Sequence, residues 1–219
     1  MIKKILIILA KDLKIDLNHS HLFLSVVLYL VSSIFIIYVS FNFIEINEFD
    51  VWISLFWIVI LFGSIASISK SFFHESYKRD YYYYYLFSPS ELIIAKLIYN
   101  FLFLFILFFL SFGLYSLLLG NLFSSNFIFF LLFLGAISIS NCLTLISAIS
   151  YQVQRNSMLI GILSFPIIIP IIKILLDLSK NTYVEFSWNV IEDDFYILVL
   201  LNIIAISLSN FLFKFLWKN

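Results

Sequence analysis

Charge is what this sequence lacks most. Of its 219 residues only 12% are Asp, Glu, Lys or Arg, while 63% are hydrophobic and the mean hydropathy is +1.08. Soluble domains carry about 25% charged and 45–50% apolar residues. So little polar surface cannot cover this much apolar surface in water, and lipid is therefore the solvent. Cysteine is nearly absent too. Cys142 stands alone, which excludes an intrachain disulfide and a cysteine-based metal cluster. It falls inside an apolar run and reads as a small packed residue. Net charge is zero and decides nothing about nucleic acid, and no such partner is expected.

Catalytic signatures are also missing. The chain contains no HExxH, CxxCH, GxxxxGK[ST], GxSxG or GxGxxG. No catalytic, cofactor-binding or metal-ligating residue is assigned. His19, His21 and His74 fall at the edges of apolar runs and read as ordinary interfacial histidines. An intramembrane enzyme, the remote alternative, would need a cluster of His, Asp, Glu or Cys at one depth, and none is visible. At the start of the chain, Lys3 and Lys4 precede an apolar run, 5–10, that Lys11 and Asp12 interrupt. That run is too short for the core of a signal peptide.

What the chain does have is apolar length. A membrane-crossing helix needs roughly 20 apolar residues. Six stretches qualify: 21–43, 51–69, 97–119, 127–150, 158–176 and 195–213. They nearly exhaust the sequence, so residues 1–219 read as a single transmembrane permease domain of all-α class. Ahead of the first span, Ile2, Ile5, Leu6, Leu9, Leu13 and Leu17 recur at helical spacing. Lys3, Lys4, Lys11, Asp12 and Lys14 fall mainly on the other side. Residues 1–17 thus predict an amphipathic helix in the headgroup region.

Lys and Arg orient the spans. With the N-terminus inside, eleven of the thirteen basic residues fall on the inner side, and only Lys173 and Lys180 fall outside. Glu45, Glu48, Asp50, Asp177, Glu185, Glu192, Asp193 and Asp194 lie outside. The expected location is the bacterial inner (cytoplasmic) membrane, multi-pass, with both termini cytoplasmic.

The cytoplasmic connection 70–96 holds the most information. Flexible linkers are rich in Gly, Ser and Pro. This one has Phe72, Phe73 and Tyr77 interleaved with His74, Glu75, Lys78 and Arg79, then five tyrosines at 81–85. Mixed aromatics and charges suit a surface that docks a partner protein. The tyrosines themselves read as an interfacial belt. Ser90 is expected to begin a new helix with Glu91 in its first turn, after Pro89 has stopped any helix arriving from upstream.

The fifth span carries Pro166 and Pro170, four apart and so on one helical face. Each removes a backbone donor, leaving the carbonyls of Ile162 and Pro166 without their usual partner. The bend this predicts is either a hinge or a static kink. Near the end of the same helix, Lys173 and Asp177 are spaced for an ion pair. In the fourth span, Ser138, Asn141, Thr144 and Ser147 are expected to hydrogen-bond to other helices. The outer stretch 177–194 is expected to lie between spans.

These features together resemble the permeases of ABC-2-type exporters, and more narrowly the CcmB family of cytochrome c maturation. The resemblance rests on SKSFFHES (69–76), SPSELIIAKLIYN (88–100), LYSLLLGN (114–121), LTLISAIS (143–150), SFPIIIPI (164–171) and LSKN (178–181). It departs from many members at 81–85, where they carry a Gly and a Glu. The resemblance implies an ABC-2-type permease fold of six transmembrane helices, with an N-terminal interfacial helix and a cytoplasmic coupling helix. It further implies that Phe72, Phe73, His74, Glu75, Tyr77, Lys78 and Arg79 seat in a groove of a separate ATPase subunit, CcmA. The implied partners are CcmC-like and CcmD-like membrane subunits, a second copy of the chain and the haem chaperone CcmE. ATP is then used by the partner subunit. No cofactor is bound directly, and haem is the cargo of the complex; whether haem passes through this subunit is left open. An exporter of a lipid-linked sugar or a small hydrophobic molecule shares the architecture and is the alternative.

Overall fold

The computed structural model describes residues 2–18, 20–41, 49–73, 86–120, 127–153, 158–184 and 188–216, with side chains described at all of these except 17, 18, 20–22, 69–73, 151–153, 158, 184, 188, 189 and 216. Among the described residues the chain is helical, with no strand. The helices are α1 (Ile2–Asn18), α2 (Ser20–Phe41), α3 (Phe49–Phe73), α4 (Pro89–Leu119), α5 (Phe127–Val153), α6 (Met158–Val184) and α7 (Trp188–Leu216). Six of them, α2 to α7, are long and apolar enough to cross a membrane. The six-span, all-helical expectation holds.

Helix α5 is the hub. In its span 78% of residues are buried, against 17% in that of α2 and 22% in that of α7. Helices α3, α4, α7 and α6 surround it, each touching α5 and its neighbours in that ring. Composition explains the central place. Gly135, Ala136, Ser138, Ser140, Cys142, Ser147 and Ala148 are small, and lipid-solvated helices associate where small residues let backbones approach. Trp57 of α3 and Leu175 of α6 both reach Gly135. Helix α2 packs outside the ring against α3 and α4, and α1 lies against the start of α4.

Several helix ends differ from the sequence expectation. Helix α4 begins at Pro89, not after Ser90, and eight residues ahead of the expected span. Its N-cap is Ser88, in extended conformation. Ser88 Oγ accepts from the Glu91 amide at 3.4 Å, and Glu91 Oε2 accepts from the Ser88 amide at 3.0 Å. Pro89 does not merely stop an incoming helix. It occupies the first helical position, where its missing N–H is no loss. Ser88 and Glu91 have the three-residue spacing of a capping box, which Ser90 and Glu91 do not. The 31-residue helix that follows is about 46 Å long, against roughly 30 Å of hydrocarbon. It ends at Gly120, whose φ of +79° is open only to glycine at little cost.

At the other end of the bundle, most of 177–194 is helix rather than connection. Helix α6 continues to Val184 and α7 starts at Trp188. Two of the polar residues that suggested a loop, Ser179 and Thr182, are turned inward. Ser179 Oγ donates to the Leu175 carbonyl at 2.6 Å, and Thr182 Oγ1 donates to that of Leu178 at 2.9 Å. Trp57 Nε1 donates to Ser179 Oγ at 3.1 Å. Tyr183 stacks on Phe49 with centroids 3.9 Å apart, and Lys180 pairs with Asp50 at 3.2 Å. These contacts tie the end of α6 to the start of α3 and keep the helix going. Lys173 and Asp177 do not form the expected ion pair.

Candidate coupling region

The α1 end of the bundle gathers most of the described charge contacts. The sequence places Asp12 on the polar side of α1, but the structure turns it inward, with a relative exposure of 5%. Helix α1 therefore has two apolar faces. Ile5 and Ile8 pack on Ala95 of α4, while Ile2, Leu6, Ile7 and Leu13 stay exposed. Asp12 lies on the packed side because its partner does: Lys96 Nζ is 3.0 Å from Asp12 Oδ2, and both side chains are 5% exposed. Lys11 Nζ reaches Asp12 Oδ1 at 2.9 Å from the more exposed side. Lys4 donates to the Leu86 carbonyl at 3.0 Å and lies 3.9 Å from Glu91. Removing one partner of a buried ion pair costs about 3–5 kcal/mol, because the other charge stays behind unpaired.

The first turns of α4 are thus sheathed by protein. Leu92, Ile93 and Leu97 pack with Ala148 of α5 and Phe213 of α7. One turn further along, Asn100 Nδ2 donates to Thr144 Oγ1 of α5 at 2.8 Å.

The expected docking residues fall differently. The backbones of Phe72 and Phe73 form the end of α3, which runs four residues past the expected span. Their side chains, and His74, Glu75, Tyr77, Lys78 and Arg79 entirely, lie outside the described residues, as do the tyrosines at 81–85. The described chain resumes at Leu86, whose carbonyl already holds Lys4.

Pro166 and Pro170 both lie inside α6. They share an outward face with Ile162, which is 69% exposed, while Ser164, Ile168 and Ile171 point into the bundle. Ser164 Oγ donates to the Gly161 carbonyl at 2.9 Å, one residue before the carbonyl that Pro166 leaves without an α-helical donor. The prolines and the α1 contacts lie on different helices and are not brought together.

The polar residues of α5 behave mainly as expected. Asn141 Nδ2 donates to Asn202 Oδ1 of α7 at 2.8 Å, and Asn202 Nδ2 donates to Ser138 Oγ at 2.7 Å and to the Leu198 carbonyl at 2.9 Å. Thr144 receives Asn100. Ser147 is the exception and bonds within its own helix, to the Thr144 carbonyl at 3.0 Å. Sequence reasoning missed Asn100, Asn202, Asp12 and Lys96 as partners. Their signal was a polar side chain in or beside an apolar run, whose mates are distant in sequence.

Chemically this arrangement is built to hold helices in register. Among the described residues, no group of three His, Cys, Asp or Glu is placed to hold a metal ion. The crevice between α2, α3 and α4, lined by Leu30, Gly63, Ser64 and Ser111, is too narrow to admit a water. No curated protein and no solved structure matches the chain. A family model described as CcmB protein does match, over residues 3–215. Nearly the whole chain is covered, so this six-span membrane protein belongs to the CcmB family, the haem-exporter permeases of cytochrome c maturation.

Proposed function

We propose that this chain is the permease through which a separate ATPase subunit drives a membrane step of cytochrome c maturation. The observation that carries the proposal is how the helices around 74–85 are framed. Helix α3 runs past its span to Phe73, and α4 begins at Pro89 behind the capping Ser88, eight residues before the span expected from sequence and braced by α1. A connection held between two such helices can pass a push from a partner directly into the bundle. Phe72, Phe73, His74, Glu75, Tyr77, Lys78 and Arg79 are the residues that meet the ATPase, a CcmA-like subunit.

In this reading the α1 end faces the cytoplasm of a bacterial inner membrane, which the Lys and Arg distribution supports. The chain works as a pair of copies with CcmC-like and CcmD-like subunits, and the output is release of the haem-loaded chaperone CcmE. It binds no cofactor itself. Pro166 and Pro170 supply the compliant point of α6. A helix that lacks two backbone hydrogen bonds in one stretch bends at lower cost than an intact one.

The test replaces Phe73, His74 and Glu75 together by alanine in the assembled complex. The ATPase subunit is expected to be lost on purification and cytochrome c assembly to fall with it, while the permease still accumulates in the membrane. Retention of both would overturn the docking role.

A further inference from the structure

We infer that α1 and the start of α4 form one mechanical unit, latched by the buried Asp12–Lys96 ion pair, and that a push delivered by the ATPase subunit reaches the bundle through this unit. The inference rests on the proposed docking role and adds to it the element that receives the push.

Several observations converge on it. The ion pair is buried on both sides and spans two helices that are otherwise far apart in sequence. Its contact with Lys96 is coulombic rather than a well-aligned hydrogen bond. Lys11 closes the outer side of Asp12, so the acid sits between two cations. About two turns toward the chain start, Lys4 donates to the Leu86 carbonyl and lies near the Glu91 carboxylate. Leu86 is the first described residue after the connection, and Glu91 belongs to the cap of α4. Helix α1 is therefore fastened to the exit of the connection at one point and to the body of α4 at another, with Ile5 and Ile8 packed on Ala95 between them.

A buried ion pair is a poor way to add stability, since apolar residues of equal size do as well or better. What it adds is register. An apolar contact tolerates sliding, whereas the attraction between two desolvated charges falls as they are drawn apart. The latch thus resists sliding of α1 along α4 while leaving both helices free to move together. Beyond Lys96, Asn100 ties α4 to Thr144 of the central helix, so motion of the unit is felt by α5.

The test uses the complete complex in membranes, with three variants: Asp12→Asn, the charge swap of Asp12→Lys with Lys96→Asp, and Lys11→Met. Two quantities are read: hydrogen exchange of the α1 amides, which reports local opening, and cytochrome c assembly. Asp12→Asn is expected to speed α1 exchange by about tenfold or more, because it removes the carboxylate charge that faces the buried Lys96 ammonium. It is also expected to lower assembly while the ATPase subunit still co-purifies. The charge swap, which remakes the inner pair but loses the Lys11 contact, restores both readouts to the level of Lys11→Met. Lys11→Met, which leaves the inner pair intact, gives a smaller rise in exchange; if Asp12→Asn fails to accumulate, Lys96→Gln is read in its place, and unchanged α1 exchange there overturns the latch equally. Unchanged α1 exchange in Asp12→Asn would overturn the latch. Faster exchange with assembly at the parental level would overturn its transmitting role. Loss of the ATPase subunit from the parental complex itself would instead overturn the docking proposal, and the exchange result would still stand.

Discussion

Trp57 rests against Gly135 so closely that a Cβ built on the glycine would meet its Cη2 at 2.8 Å. Trp57 is fully buried, and its indole nitrogen is held by Ser179, so the ring has no room to retreat. Gly135→Ala is therefore expected to overpack the contact between α3 and the hub, costing about 1–3 kcal/mol. The control is Gly113→Ala. Nothing lies within 4 Å of its added Cβ, and removing a helical glycine is expected to leave stability unchanged or raise it by up to ~1 kcal/mol. Thermal unfolding of the two variants in detergent checks the contrast, and equal behaviour would contradict the packing account.

Asn202 ties α7 to α5 through both its carbonyl and its amide. Replacing it with Leu removes the acceptor of Asn141 and a donor to Ser138. Interhelical hydrogen bonds in membranes are worth about 0.6–2 kcal/mol each, so a loss on the order of 1–2 kcal/mol is expected. A double-mutant cycle with Asn141→Leu should show coupling between the two sites. Strict additivity would mean that the 2.8 Å contact contributes nothing.

Ser88 is the expected weak point at the start of α4. Ser88→Ala removes the side-chain acceptor for the Glu91 amide and should cost about 1 kcal/mol, whereas Ser88→Thr should retain the cap. Hydrogen exchange in the first turn of α4 is the direct readout. Faster exchange in both variants would point to a contact other than the cap.

The two prolines of α6 separate stability from function. Alanine at 166 and 170 returns two backbone donors to a helix that pays about 3 kcal/mol per internal proline. Thermal stability is expected to hold or rise in the double variant. If α6 must bend during the cycle, cytochrome c assembly falls at the same time. Full assembly with both prolines replaced would reduce them to a static feature of packing.

Much of this architecture could be read without coordinates. The six spans follow from apolar length, since lipid accepts a helix only when its backbone bonds are internal and its side chains apolar. Ser138, Asn141 and Thr144 were legible as interhelical groups because a polar side chain in a lipid-solvated helix seeks a partner. Helix ends were less legible. Ser179 and Thr182 look like loop residues until their hydroxyls bond back to α6, and Ser88 and Ser90 flank Pro89 as rival caps that only the reciprocal bonds with Glu91 tell apart.

Composition and periodicity by themselves determined the solvent, the number of crossings and the proline-bearing helix, because each depends on residues close together in the chain. Which helix sits at the centre, and which way Asp12 faces, were decided only by the tertiary structure. Helix α1 has apolar residues on two sides, so its own pattern permits either face to pack. Lys96, far along the chain on α4, breaks that tie, since a charge buried in α4 demands its counter-charge from the helix laid against it.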